Sequence, residues 1–125
     1  MSPNSLAQRA YAQASTPIRT ARGTEYQAIV RITHRLKAAA QKGKAGFNEL
    51  VEALHDNRKL WTLLATDVAD PDNKLPKEIR ARIFYLAEFT QLHSSKVLTG
   101  GVSVRPLLEI NTAILRGLRQ GSTES

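Results

Sequence analysis

The sequence predicts an all-α fold: a compact bundle of four to five helices with a weakly attached N-terminal helix. Three observations predict it. Apolar residues recur at helical spacing through several long segments. Short breaks rich in Gly, Pro and Asp separate those segments. No stretch alternates apolar and polar residues between hairpin turns; VLTGGVSV is β-branched, but it is short and has no partner. The 125 residues fit a single domain, 1–125, with an N-terminal helix and linker over 1–23 and a flexible tail over 120–125. A domain this size buries roughly two-thirds of the surface its unfolded chain exposes, so it needs no covalent or metal staple.

Each element has its own local reason. Residues 4–14, NSLAQRAYAQA, favour helix by propensity, but Leu6, Ala10 and Ala14 make only a thin stripe. STPIRTARG, 15–23, reads as a linker. The next helix should begin at Thr24 as N-cap, with Glu25 favourable in its first turn. Tyr26, Ile29, Val30, Thr33, Leu36 and Ala40 carry its period, and Gly43 in KGKAG suits its C-terminal cap. A helix over 47–69 follows, with Phe47, Leu50, Leu54, Trp61, Leu64 and Val68 on one wide face. The polar run His55-Asp56-Asn57-Arg58-Lys59 interrupts it, and Trp61 reads as core.

ADPDNKLP is a turn, and Pro76 suits the first turn of a helix over 76–98. That helix is the most apolar, through Ile79, Ile83, Phe84, Phe89, Leu92 and Val97, which predicts a central place in the bundle. Gly100-Gly101 ends it. Ser103 then caps a last helix, which tolerates Pro106 in its first turn. Two features of this last helix stand out. Asn111 sits on the stripe of Leu107, Leu108, Ile114, Leu115 and Leu118, and Gly117 interrupts what reads as its final turn. A buried unpaired amide costs about 1–3 kcal/mol, so Asn111 should bond to a neighbouring backbone or fix the register of the helix.

Composition narrows the function. There is no cysteine, hence no disulfide, thiolate nucleophile or Cys-based metal site. No apolar run approaches the roughly 18 residues of a membrane span, and MSPNSLAQRAYAQAS lacks the apolar block of a secretory signal. The chain reads as soluble and cytoplasmic, with no membrane insertion. Its net charge of +7 is unevenly placed. Residues 1–44 hold eight basic side chains against Glu25 alone, and residues 45–125 hold ten of each sign. Such a segment suits RNA, an acidic protein or a membrane surface, and equally a set of well-solvated helix faces.

No constellation for catalysis emerges. His34, His55 and His93 fall on three different helices, without the four-residue spacing of a zinc helix. Asp67, Asp70 and Asp72 lack the glycine and terminal glutamate of a calcium loop. GKAG and GG are too sparse for a phosphate loop, and no nucleophile elbow appears. The reading is a non-enzyme without metal or cofactor. Direct nucleic-acid contact through Arg31, Arg35, Lys37 and Lys42 lacks interleaved aromatics and clear helix-turn-helix spacing. A groove for an amphipathic partner helix suits the apolar 76–98 helix and the mixed apolar and arginine surface of the last one. The residues alone leave open whether these faces close on each other or receive a partner.

Four blocks carry a family resemblance. LEINTAILRGLR after VLTGG resembles the C-terminal signature of the FlaF family, flagellar biosynthesis regulators of alphaproteobacteria. AYAQAS around Tyr11 resembles the family's opening, and RGTEYQAIVRITHRL, with Arg22 and Glu25, its first long helix. NRKLWTLLATDVADPDNKLPKEIRARIFYLAEFTQLH resembles its central block, with Asn57, Leu60, Trp61, Asp67, Asn73, Leu75, Pro76 and Leu86 in order. The resemblance implies a cytoplasmic secretion chaperone that binds flagellin before export and supports its synthesis. It also implies a link to FlbT, a regulator acting on flagellin mRNA. The alternative is RNA-binding or FlbT-dependent post-transcriptional control of that mRNA. The residues expected to touch a partner are Tyr11, Tyr26, Phe89, Asn111, Arg116 and Arg119. The thin first helix is expected to rest on the client groove and yield to flagellin.

Overall fold

A computed structural model describes the backbone of residues 16–124 and the side chains of residues 26–117. It contains four helices, α1 (Thr16–Gln41), α2 (Phe47–Ala69), α3 (Lys77–Leu98) and α4 (Arg105–Glu124), with a 3-10 turn at Gly43–Gly46. No strand occurs among the described residues. The expected helix over 4–14 lies outside them.

Ile29, Ile32, Leu36 and Ala39 are spaced by three, four and three residues, so they share the buried face of α1. Gly43, at φ 62°, takes the left-handed conformation that ends α1. The chain then reverses tightly. A Cβ on Gly46 would lie 2.4 Å from the Ala39 carbonyl oxygen, so only glycine fits there. Arg35 pairs with Asp56 and Lys42 with Glu49, which fixes α1 and α2 as antiparallel neighbours.

The α2 helix stands in the middle, packed against α1 on one side and α3 on the other. Its Ala53, Leu54, Leu60, Trp61, Leu64 and Val68 are buried. Asn73 closes its C-terminus: the Asn73 amide donates to the Asp67 carbonyl at 3.0 Å, and the Leu75 N–H donates to Asn73 Oδ1 at 3.0 Å. A reciprocal cluster fastens α3. Arg58 donates to the Gln91 side chain and carbonyl, and Gln91 Nε2 donates back to the Arg58 carbonyl and to Thr62. Gly100, at φ 84°, ends α3, and Gly100 and Gly101 donate to the Val97 and Lys96 carbonyls in a Schellman arrangement. His93 Nε2 lies 2.8 Å from the Ser103 carbonyl, so that ring nitrogen donates and ties the loop to α3. Ser103 Oγ accepts from the Arg105 N–H as α4 starts.

Four expectations are corrected. Of the segment expected as a linker, 15–23, residues 16–23 are helical: α1 already runs from Thr16 through Thr24 and Glu25. Pro17 falls in the first turn, where its missing N–H costs nothing, and one interior glycine costs only about 1 kcal/mol. At the other end α4 continues to Glu124, so the helix passes through 120 instead of giving way to a tail, and Gly117 is an interior residue. The central helix is α2, not α3. The inward stripe of α3 is narrow, and Phe84, Tyr85 and Leu92 face solvent.

The two glycines should respond oppositely to one added methyl. Gly46→Ala should lower the free energy of unfolding by about 2 kcal/mol through the clash with Ala39. Nothing lies within 4 Å of a Cβ at Gly117, and Gly117→Ala should raise it by about 1 kcal/mol. Urea unfolding of the two variants checks both signs.

Candidate partner-binding site

The site rests on a buried polar junction. Trp61 Nε1 donates to Asn111 Oδ1 at 2.9 Å. An indole N–H can only donate, so the atom facing it must be the amide oxygen. The amide nitrogen then points at Thr33 Oγ1, 3.1 Å away, and at Asn57 Oδ1, 2.9 Å away. Thr33 can accept because its own hydrogen goes to the Ile29 carbonyl at 2.6 Å. Asn111 thereby ties α4 to α1 through Thr33 and to α2 through Trp61 and Asn57. Asn111 and Asn57 are fully buried.

With α4 held there, α1 and α4 form the walls of an open groove of about 530 Å³. Thr33, His34 and Lys37 line one side; Arg105, Leu108, Glu109, Thr112 and Arg116 line the other. Glu109 is the single carboxylate, and it sits 3.4 Å from the Arg105 guanidinium in an exposed pair that contributes little.

A second surface lies between α2 and α3. On α3, Ile83, Ala87, Thr90, Ser94 and Val97 point inward. Positions 85 and 92 fall on the opposite side of the helix, and Tyr85 and Leu92 are 65% and 68% exposed. Phe84 overhangs a shallow groove of about 370 Å³ with Thr62, Ala65, Thr66, Ala69, Ala87, Glu88 and Gln91. The small alanines keep its floor low. The Thr62 and Thr66 hydroxyls donate to carbonyls of their own helix. Thr62 also borders a depression with His55, Arg58, Lys59 and Leu63, where Leu63 is 67% exposed. Phe84 and Leu63 are thus uncovered apolar side chains beside these two depressions, Arg58 and Lys59 give the second a basic margin, and Tyr85 and Leu92 continue the exposed apolar side chains onto the outer side of α3.

A family comparison decides the affiliation of the chain: the model for flagellar protein FlaF matches residues 7–118. The chain belongs to the FlaF family. No curated protein and no solved structure matches it. In this FlaF chain the match takes in the Asn111 junction, both grooves and the whole of α2 and α3.

The residues expected at the FlaF site fare differently. Tyr11 and the Arg119 side chain lie outside the described residues. Asn111 is buried away from either groove, and of the two expectations for it, a backbone bond or a fixed register, its bonds go to side chains of α1 and α2 and not to backbone. Tyr26 and Phe89 are half-buried against the core, and Phe89 stacks on His93 with ring centroids 5.2 Å apart. Of the expected contact residues with described side chains, Arg116 alone is an exposed residue lining a groove. Sequence reasoning missed Leu63, Phe84, Tyr85 and Leu92 as surface residues. The signal was available in helical phase, because 85 and 92 lie opposite 83, 87, 90, 94 and 97. Asn57 was read as part of a polar interruption, yet it is buried.

Among the described residues no group of His, Asp or Glu is arranged to hold a metal, and no helix is long and apolar enough to cross a membrane.

Asn111→Leu should be costly despite its greater hydrophobicity. It would leave the Trp61 N–H and the Asn57 oxygen buried without partners, a loss of about 3 kcal/mol. Chemical denaturation measures it; unchanged or increased stability would mean the junction is dispensable.

Proposed function

We propose that this FlaF protein acts by binding, not catalysis, as a cytoplasmic chaperone that holds flagellin before export. The observation that supports this most is the uncovered apolar surface of α2 and α3, with Leu63, Phe84, Tyr85 and Leu92. Membership of a flagellar family directs the reading to a flagellar client. Flagellin's terminal regions are amphipathic helices that assemble in the filament, and a helix laid into a groove is a common mode of recognition. Covering those faces keeps subunits apart until export.

The chemistry suits a reversible hold. Burying one exposed Leu or Phe side chain is worth about 1.5–3 kcal/mol, and ordering both partners offsets part of that gain. An open surface with a few such anchors gives moderate affinity and permits release. Apolar contact also makes the complex tolerant of salt, because screening acts on charges.

Leu92 is exposed, so Leu92→Asp should leave the fold intact while placing a charge where the client's apolar face must land. Calorimetry with monomeric flagellin should show a stoichiometric complex at about 0.1 M and 0.5 M salt alike, weakened about tenfold or more by the substitution. Absence of a complex, or equal affinity for the variant, would overturn the reading. Binding to a flagellin mRNA leader that collapses as salt rises would favour the RNA-binding regulator instead.

A further inference from the structure

We infer that the groove between α1 and α4 is a second docking site, and that it receives an acidic amphipathic helix of a protein partner. The inference is independent of what binds between α2 and α3.

Besides the exposed Arg31, the described cations on or just beyond α1 form two sets. Arg35 and Lys42 turn toward α2 and are answered by Asp56 at 2.7 Å and Glu49 at 2.6 Å. Lys37, on the α4 side, has no ion-pair partner among the described residues, and neither does Arg116 across the groove. With Arg105 and His34 they face a cleft whose single carboxylate is Glu109. On the α2 side the protein itself answers Arg35 and Lys42, Arg31 remaining exposed, and on the α4 side Lys37 and Arg116 are left for another molecule.

The rest of the lining selects the ligand further. Thr33 and Thr112 donate their hydroxyl hydrogens to the Ile29 and Leu108 carbonyls of their own helices. Leu108 supplies an apolar floor. The fitting ligand therefore brings carboxylates for the rims and a hydrocarbon face for the floor. An open cleft between two helices takes one face of a third helix, with Glu or Asp beside its apolar row. Single-stranded RNA fits less well, because no Phe, Tyr or Trp lines the groove to stack its bases.

Isotope-labelled full-length protein titrated with a synthetic peptide tests this. The peptide is helical, with leucines along one face and glutamates on both flanks. Amide shifts should concentrate at residues 33–37 of α1 and 105–116 of α4. Replacing the peptide's glutamates with glutamine should abolish them. Lys37→Glu with Arg116→Glu should weaken binding about tenfold, since both side chains are exposed and their reversal places like charges together. Leu92→Asp, on the other surface, should leave this titration unchanged. The inference is overturned by no shifts at all, by shifts confined to α2 and α3, or by equal binding of the glutamine peptide. It is also overturned if an oligoribonucleotide moves the same amides at lower concentration than the peptide.

Discussion

Asn111 brings two donor hydrogens and an acceptor oxygen into a core otherwise made mostly of hydrocarbon, and each meets a partner on another helix. The oxygen takes the Trp61 indole N–H, and the nitrogen reaches Thr33 and Asn57. Hydrocarbon packing is tolerant of small slides, because one methyl can replace another at little cost. A fully satisfied amide is not. Moving α4 by one residue would strand three buried polar groups, at about 1–3 kcal/mol each. The amide therefore fixes the register of α4 against α1 and α2 more strongly than Leu107 or Leu108 can.

That register shapes both surfaces. Because α4 packs along α1 and is tied to α2 through Asn111, its outer edge becomes one wall of the cationic groove, and Arg116 comes to face Lys37 and His34. The same placement keeps α4 away from the outer side of α3. Among the described residues no helix covers Tyr85 and Leu92, and the low alanine floor between α2 and α3 stays open. The two surfaces differ in chemistry. One is cationic with a small apolar floor, and the other is apolar with a basic margin.

The sequence made much of this visible, for physical reasons that also explain the rest. The boundaries of α2 and α3 were legible because long amphipathic runs end at Pro, Gly and Asp, residues that break helices through their own covalent geometry. The first turns of α1 were not, because Pro17 and Gly23 read as a linker while a 26-residue helix absorbs both. The position of α3 was misjudged because total hydrophobicity was weighed above phase. Asn111 was visible as a polar residue on an apolar stripe. Its partners were not, since they lie 50, 54 and 78 residues away and only the fold brings them together. Arg116, expected to touch a partner, is exposed beside the groove of α1 and α4, whereas Phe84 and Leu92 were read only as part of an apolar helix, since composition cannot say which face of such a helix goes uncovered.

The most direct test of the junction uses the chain's single tryptophan, whose indole N–H gives one isolated resonance. Hydrogen exchange of that proton reports whether the bond to Asn111 opens locally or only with the whole fold. If Asn111 holds α4 in register, the Trp61 indole should exchange as slowly as the slowest backbone amides of α2. Exchange within minutes, while those amides remain protected, would show that α4 lifts away freely and that the amide is not what positions it.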